Sequence, residues 1–136
     1  MLAFQNLPID SAMFYDARLG ASYYGGMFNP MNREPLPAYY GFKCFGELYR
    51  MGNQVETIAD GDGIYAVAAR SGEEGAVMIA NVTENEVPLT IDCGKWYVKA
   101  VKLTAEGYND ADVEMTSVLP AQSFIFIKLD KCGEEN

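Results

Sequence analysis

The chain has 136 residues, 49% of them hydrophobic and 21% charged, which suits one soluble domain with a single buried core. No apolar run approaches the roughly 20 residues of a membrane span, so a membrane-spanning helix is excluded. The net charge of −9 excludes a nucleic-acid surface, which needs clustered Lys and Arg to displace counterions.

The opening residues, MLAFQNLPIDS, have no positively charged start. They are therefore not a secretory signal, and the chain as given is expected to be cytoplasmic rather than secreted. The run YYGGMFNP at 23–30 follows, dense in aromatics and glycine. It can form a sugar-stacking lip or a packed surface loop, since both use this composition. Residues 38–51 predict an amphipathic helix. Ala38, Phe42, Phe45 and Tyr49 form a stripe at helical period, Pro35 and Pro37 precede it, and Gly52 is placed to cap its end. Gly41 and Gly46 weaken such a helix but let a neighbour approach closely, which predicts a helix built to dock.

After Gly52 the pattern becomes short strands between turn signals: VETIAD, GIYAVAARS, GAVMIANVT, VPLTID, WYVKAVKLT, VEMTSVL and SFIFIKL. The expected fold is mainly β: an antiparallel β-sandwich of about seven strands with an N-terminal loop-and-helix appendage. Ile64–Ala69 and Ala76–Val82 are apolar on both alternations and predict central strands, whereas Pro88 marks Val87–Asp92 as an edge. DGDG at 60–63 has the start of a calcium loop but lacks its third acidic ligand and distal Glu, so a turn is expected. NVT at 81–83 matches a glycosylation acceptor but lies at a strand end, where chance explains it. The acidic residues at 106–114 are expected in solvated turns.

The two parts differ in surface. Residues 1–53 carry 11 of the 17 aromatics and no net charge, and residues 54–136 carry the entire −9. With no histidine, Ser-His or Cys-His pairs and His-ligated metals are excluded. Cys44, Cys93 and Cys132 are too far apart for a CxxC site and are expected as reduced thiols. No metal and no cofactor is expected.

The stretch AMFYDARLGASYYGGMFNPMNREPLPAYYGFKCFGELYRMG resembles the last strand, loop and helix of retaining (β/α)8-barrel glycoside hydrolases of the β-xylosidase and α-L-iduronidase type, family 39. In that family a glycine-aromatic loop and a closing helix end the barrel, and a small β-sandwich follows. LPAQSFIFIKL is similar to that sandwich's final turn and strand. The resemblance implies a remnant of the last barrel strand, loop and helix in 1–53 and a C-terminal β-sandwich domain in 54–136. It implies a barrel strand at Ala12–Tyr15, with Met13, Phe14 and Tyr15 where a tryptophan is usual.

A full barrel takes about 250 residues, so the other seven-eighths and its two catalytic glutamates are absent. Hence no catalytic residue is expected here. The resemblance implies substrate contacts, within a complete barrel, by Tyr15, Asp16, Arg18, Tyr24 and Phe28. The alternative for Asp16 and Arg18 is a local Asp–Arg pair organising a loop. The implied role is a structural accessory region of a glycosidase, with the parent's catalytic barrel as partner. The alternative is an independent carbohydrate-binding or protein-interaction module. Self-association as a homodimer through residues 1–53 is expected because the orphaned surfaces are apolar and uncharged.

Overall fold

The computed structural model describes residues 1–20, 25–104, 108–110 and 116–131. Among the described residues, eight antiparallel strands and one α-helix follow a 3-10 turn at Leu2–Phe4. The helix α1 spans Pro37–Met51, and the strands are β1 Asn53–Val55, β2 Ile64–Ser71, β3 Glu74–Asn81, β4 Val87–Thr90, β5 Trp96–Leu103, β6 Asn109–Asp110, β7 Thr116–Leu119 and β8 Ser123–Lys131. Six strands form one sheet in the order β1-β2-β3-β8-β5-β6, and β4 pairs with β7 in a second. The mainly-β fold follows from the short, turn-punctuated strand pattern of the sequence.

β3 and β8 sit at the centre of the large sheet, and both its faces are covered there. On one face Val67, Ala69, Met78, Phe124 and Phe126 meet Cys44 and Leu48 of α1 and Leu2 of the opening turn. On the other, Val77, Ile79, Ile125 and Ile127 meet Leu89 of β4 and Leu119 of β7. This two-sided burial explains why Ala76–Val82 is apolar on both alternations. β2 is flanked on both sides only at Ala68–Arg70, because its outer neighbour β1 has three residues. The segment VETIAD, expected as a strand, leaves the sheet after Val55.

α1 starts and stops where the sequence indicates. Pro37 occupies its first turn, and Gly52 ends it at φ 82°, donating its N–H to the Tyr49 carbonyl at 3.1 Å. Its docked face shares only Phe45 with the expected Ala38–Tyr49 stripe. Gly41, Cys44 and Leu48 lie buried against the sheet, and Tyr49 is 80% exposed. A Cβ at Gly41 would lie 3.8 Å from the Phe124 ring, so its missing side chain sets how closely the helix approaches. Phe42 is instead covered by Phe14, edge-on at 5.1 Å. The helix thus has two apolar sides, and the aromatic one carries the N-terminal segment.

The barrel-like strand expected at Ala12–Tyr15 is not formed: residues 11–18 belong to no ladder. A lone barrel strand has no neighbours to take its backbone hydrogen bonds, and the segment instead runs irregularly beside α1.

Asn81 closes the joint between the two sheets and is 1% exposed. Its Nδ2 donates to the carbonyls of Asn85 at 2.8 Å, Pro120 at 3.0 Å and Leu119 at 3.3 Å. Its Oδ1 accepts from the Thr83 N–H at 2.9 Å and the Thr83 hydroxyl at 2.7 Å. The NVT triplet is therefore a turn device built on the buried Asn81, whose amide is committed to the fold. DGDG likewise forms a turn, with Ile64 N–H donating to the Gly61 carbonyl at 3.2 Å and Gly63 at φ 75°. Cys44 and Cys93 are free thiols. Among the described residues no helix is long and apolar enough to cross a membrane.

Candidate functional site

Three of the five predicted site residues come together. Asp16 is buried, with Oδ2 2.6 Å from Arg18 Nε and Oδ1 accepting the Arg18 backbone N–H at 3.2 Å. The Arg18 guanidinium lies 5.8 Å from the centre of the Tyr15 ring. The Oδ2 contact is an ion pair whose angle falls off a hydrogen-bond line, so the attraction there is chiefly Coulombic. Both oxygens of Asp16 thus serve a residue two positions along the same loop. This is the geometry of a loop organised by its own charges, with the arginine folded back over its carboxylate and a neighbouring ring.

Phe28 belongs to a different group. It bridges to Pro35, and its ring packs on Tyr39 at 5.4 Å. Tyr39 meets Tyr40 edge-on at 5.3 Å, and Tyr40 stacks on Tyr108 at 4.3 Å. The link between the two groups is Gly26, where an added Cβ would lie 3.8 Å from the Arg18 carbonyl. Tyr24 lies outside the described residues.

Tyr108 was not singled out by the sequence, because it stands in the polar run AEGYNDAD. The structure draws it beneath α1. Its hydroxyl is 3.2 Å from Cys44 Sγ, and the ammonium groups of Lys102 and Lys43 lie over its ring at 5.6 and 5.8 Å. Burial, reinforced by the Cys44 contact, pushes the Tyr108 phenol well above its ordinary value. Burial also raises the Cys44 thiol. Both groups therefore stay protonated near neutrality. They form a packed, weakly polar joint between helix and sheet rather than a nucleophile. The other carboxylates near this end are engaged as well: Glu47 pairs with Lys128 at 2.8 Å, and Glu34 accepts from Asn32 at 2.7 Å.

No protein-family model matches the sequence, and no curated protein sequence matches it. Solved structures do resemble it. The glycoside hydrolase family 30 subfamily 8 xylanase Xyn30A of Clostridium acetobutylicum matches 77% of this chain at 16% identity with a TM-score of 0.54. A family 30 endoxylanase of Clostridium papyrosolvens matches 58% of the chain at 17% identity, TM-score 0.44. CelM2, a bifunctional glucanase-xylanase from a metagenome library, matches 56% at 22% identity, TM-score 0.43. The chain spans 30%, 23% and 17% of those proteins' lengths respectively. Its fold is thus one found as part of a glycoside hydrolase.

Proposed function

We propose that this chain is the C-terminal accessory region of a retaining glycoside hydrolase of the family 39-like type, structural and not catalytic by itself. The observation that carries this reading is the self-contained Asp16–Arg18–Tyr15 cluster. Its carboxylate is neutralised within its own loop, and neither partner is free to protonate a leaving oxygen or attack a sugar. The fold shared with 30% of a xylanase supports the same reading. Residues 1–53 would close the parent's catalytic barrel, and 54–136 would brace it. In that setting Tyr15, Asp16, Arg18, Tyr24 and Phe28 would line the glycan side of the barrel. Without a barrel, the exposed side chains Leu7, Met13, Leu19 and Met31 in the uncharged segment favour a second copy of the chain.

The test is turnover of aryl xylosides, arabinosides and glucosides by the purified chain. No hydrolysis is expected. Hydrolysis that survives repurification and disappears in Asp16→Asn would overturn the reading. Light scattering at hundreds of micromolar checks the second copy: a full-length chain that remains monomeric rejects it.

A further inference from the structure

The large sheet has six strands, but the layer on its second face has only β4 and β7 among the described residues. That layer covers β8 and part of β3 and stops short of β2. Ile64, Ala66 and Ala68, which point to this face, remain half-buried. Beside β4 lies a cleft of about 1280 Å³. Its floor is Ala66, Ala68, Val77 and Ile79, one wall is Val87–Cys93, and the other is the irregular segment Glu56–Asp62. Trp96 closes one end, its ring pressed on Gly75, where a Cβ would come within 3.2 Å.

Among the described residues, the wall formed by β4 is an open strand edge. Pro88 has no N–H, so the two-way hydrogen-bonded pairs with β7 must be Val87↔Leu119 and Leu89↔Ser117. The alternate residues then face the cleft, leaving the Pro88 carbonyl and both the N–H and carbonyl of Thr90 to an incoming strand. The floor is apolar and built largely from small side chains, giving room for side chains arriving from above. The rim carries Glu56, Asp60, Asp62 and Asp92 against one cation, Arg70.

From this geometry we infer that the cleft is a strand-acceptor site: an extended polypeptide segment, apolar at alternate positions and flanked by Lys or Arg, adds to the free edge of β4. The backbone groups of Thr90 and Pro88 supply the ladder, the alanine floor takes every second side chain, and the acidic rim takes the basic flanks. Burial of Ile64, Ala66 and Ala68 completes the core that β4 and β7 leave open. This inference stands apart from the glycosidase reading and survives its failure.

The probe is a displayed library of randomised peptides about ten residues long, enough to cross a typical strand. It is selected on the full chain and followed by fluorescence of Trp96, the sole tryptophan. The expected outcome is enrichment of alternating apolar peptides with basic ends. Their binding should slow exchange of the Thr90 amide and fall at least about tenfold in Thr90→Pro, which removes the edge donor without touching the β7 pairs. Ala68→Trp, which fills the floor, should abolish binding. Far-UV circular dichroism of both variants confirms that each is folded. Three results overturn the inference: no enrichment, selected peptides that bind Thr90→Pro and the parent equally, or self-association of the chain that Thr90→Pro abolishes, which would make a second copy the occupant.

Discussion

Replacing Asn81 should loosen the joint between the two sheets. Asn81→Ala removes a donor shared by three carbonyls, two of them in the Leu119–Pro120 turn that ends β7. It also removes the acceptor of two Thr83 donors. Each carbonyl keeps another donor, Asn85 from the Thr83 hydroxyl, Pro120 from the Ser123 hydroxyl and Leu119 from the Val87 N–H of the ladder, but the Thr83 N–H loses its acceptor. Each buried group left without a partner costs about 1–3 kcal/mol. One such group plus the loosened turn gives roughly 2–4 kcal/mol, a sizeable part of the ~5–15 kcal/mol that holds a domain together.

Asn81→Asp separates the donor from the shape. The introduced carboxylate keeps the Thr83 bonds but turns an oxygen toward three carbonyls, and burial raises its folded pKa above the unfolded value of about 3.9. A raised folded pKa means the protonated form is the stable one. Stability is therefore fullest below the unfolded pKa and falls as pH rises through the folded value. Urea unfolding of both variants, followed by Trp96 fluorescence, measures this. Asn81→Asp should lie nearest the parent at about pH 4 and furthest from it at about pH 8. A loss under about 1 kcal/mol in Asn81→Ala would show that the joint between the sheets does not depend on this side chain.

Further outcomes follow from the same contacts. Gly63→Ala should lose about 1–3 kcal/mol in the same urea assay, because φ is +75° and the new Cβ would sit 2.6 Å from Thr83 Cγ2, whose hydroxyl is held by Asn81. Mass mapping after brief alkylation of the native chain should leave Cys44 unmodified, since it is 0% exposed and its thiol is raised by burial. Tyr108, raised chiefly by burial, contributes stability that is complete below about pH 10 and is lost as pH climbs toward its folded value. The alkaline unfolding limb should therefore flatten in Tyr108→Phe.

The helix ends and most strands were legible because they are punctuated locally. Pro37, Gly52, Gly63 and Pro88 act through their own backbones wherever the chain goes. The helix's docked face was not legible, since Phe42 and Tyr49 are more apolar in period than Gly41, Cys44 and Leu48. Only the sheet's arrival, with the Phe124 ring against Gly41, decides between the stripes. Tyr108 was hidden by its polar neighbours, and its role depends on a contact with Cys44, 64 positions away. At the candidate site, the pairing of Asp16 with Arg18 follows from their spacing. The separation of that pair from Phe28, which packs on Tyr39, does not. The short reach of β4 and β7 over β2 is likewise a property of the assembled layers and not of any segment.

The proposal is that this chain supports a glycosidase without acting on or binding sugar alone. Its most direct measurement is a titration of the isotope-labelled chain with xylohexaose, followed by amide and aromatic spectra. The proposed role predicts no saturable shift at Tyr15, Asp16, Arg18, Phe28 or Tyr39. Saturable shifts at those residues would contradict it and identify an independent carbohydrate-binding module.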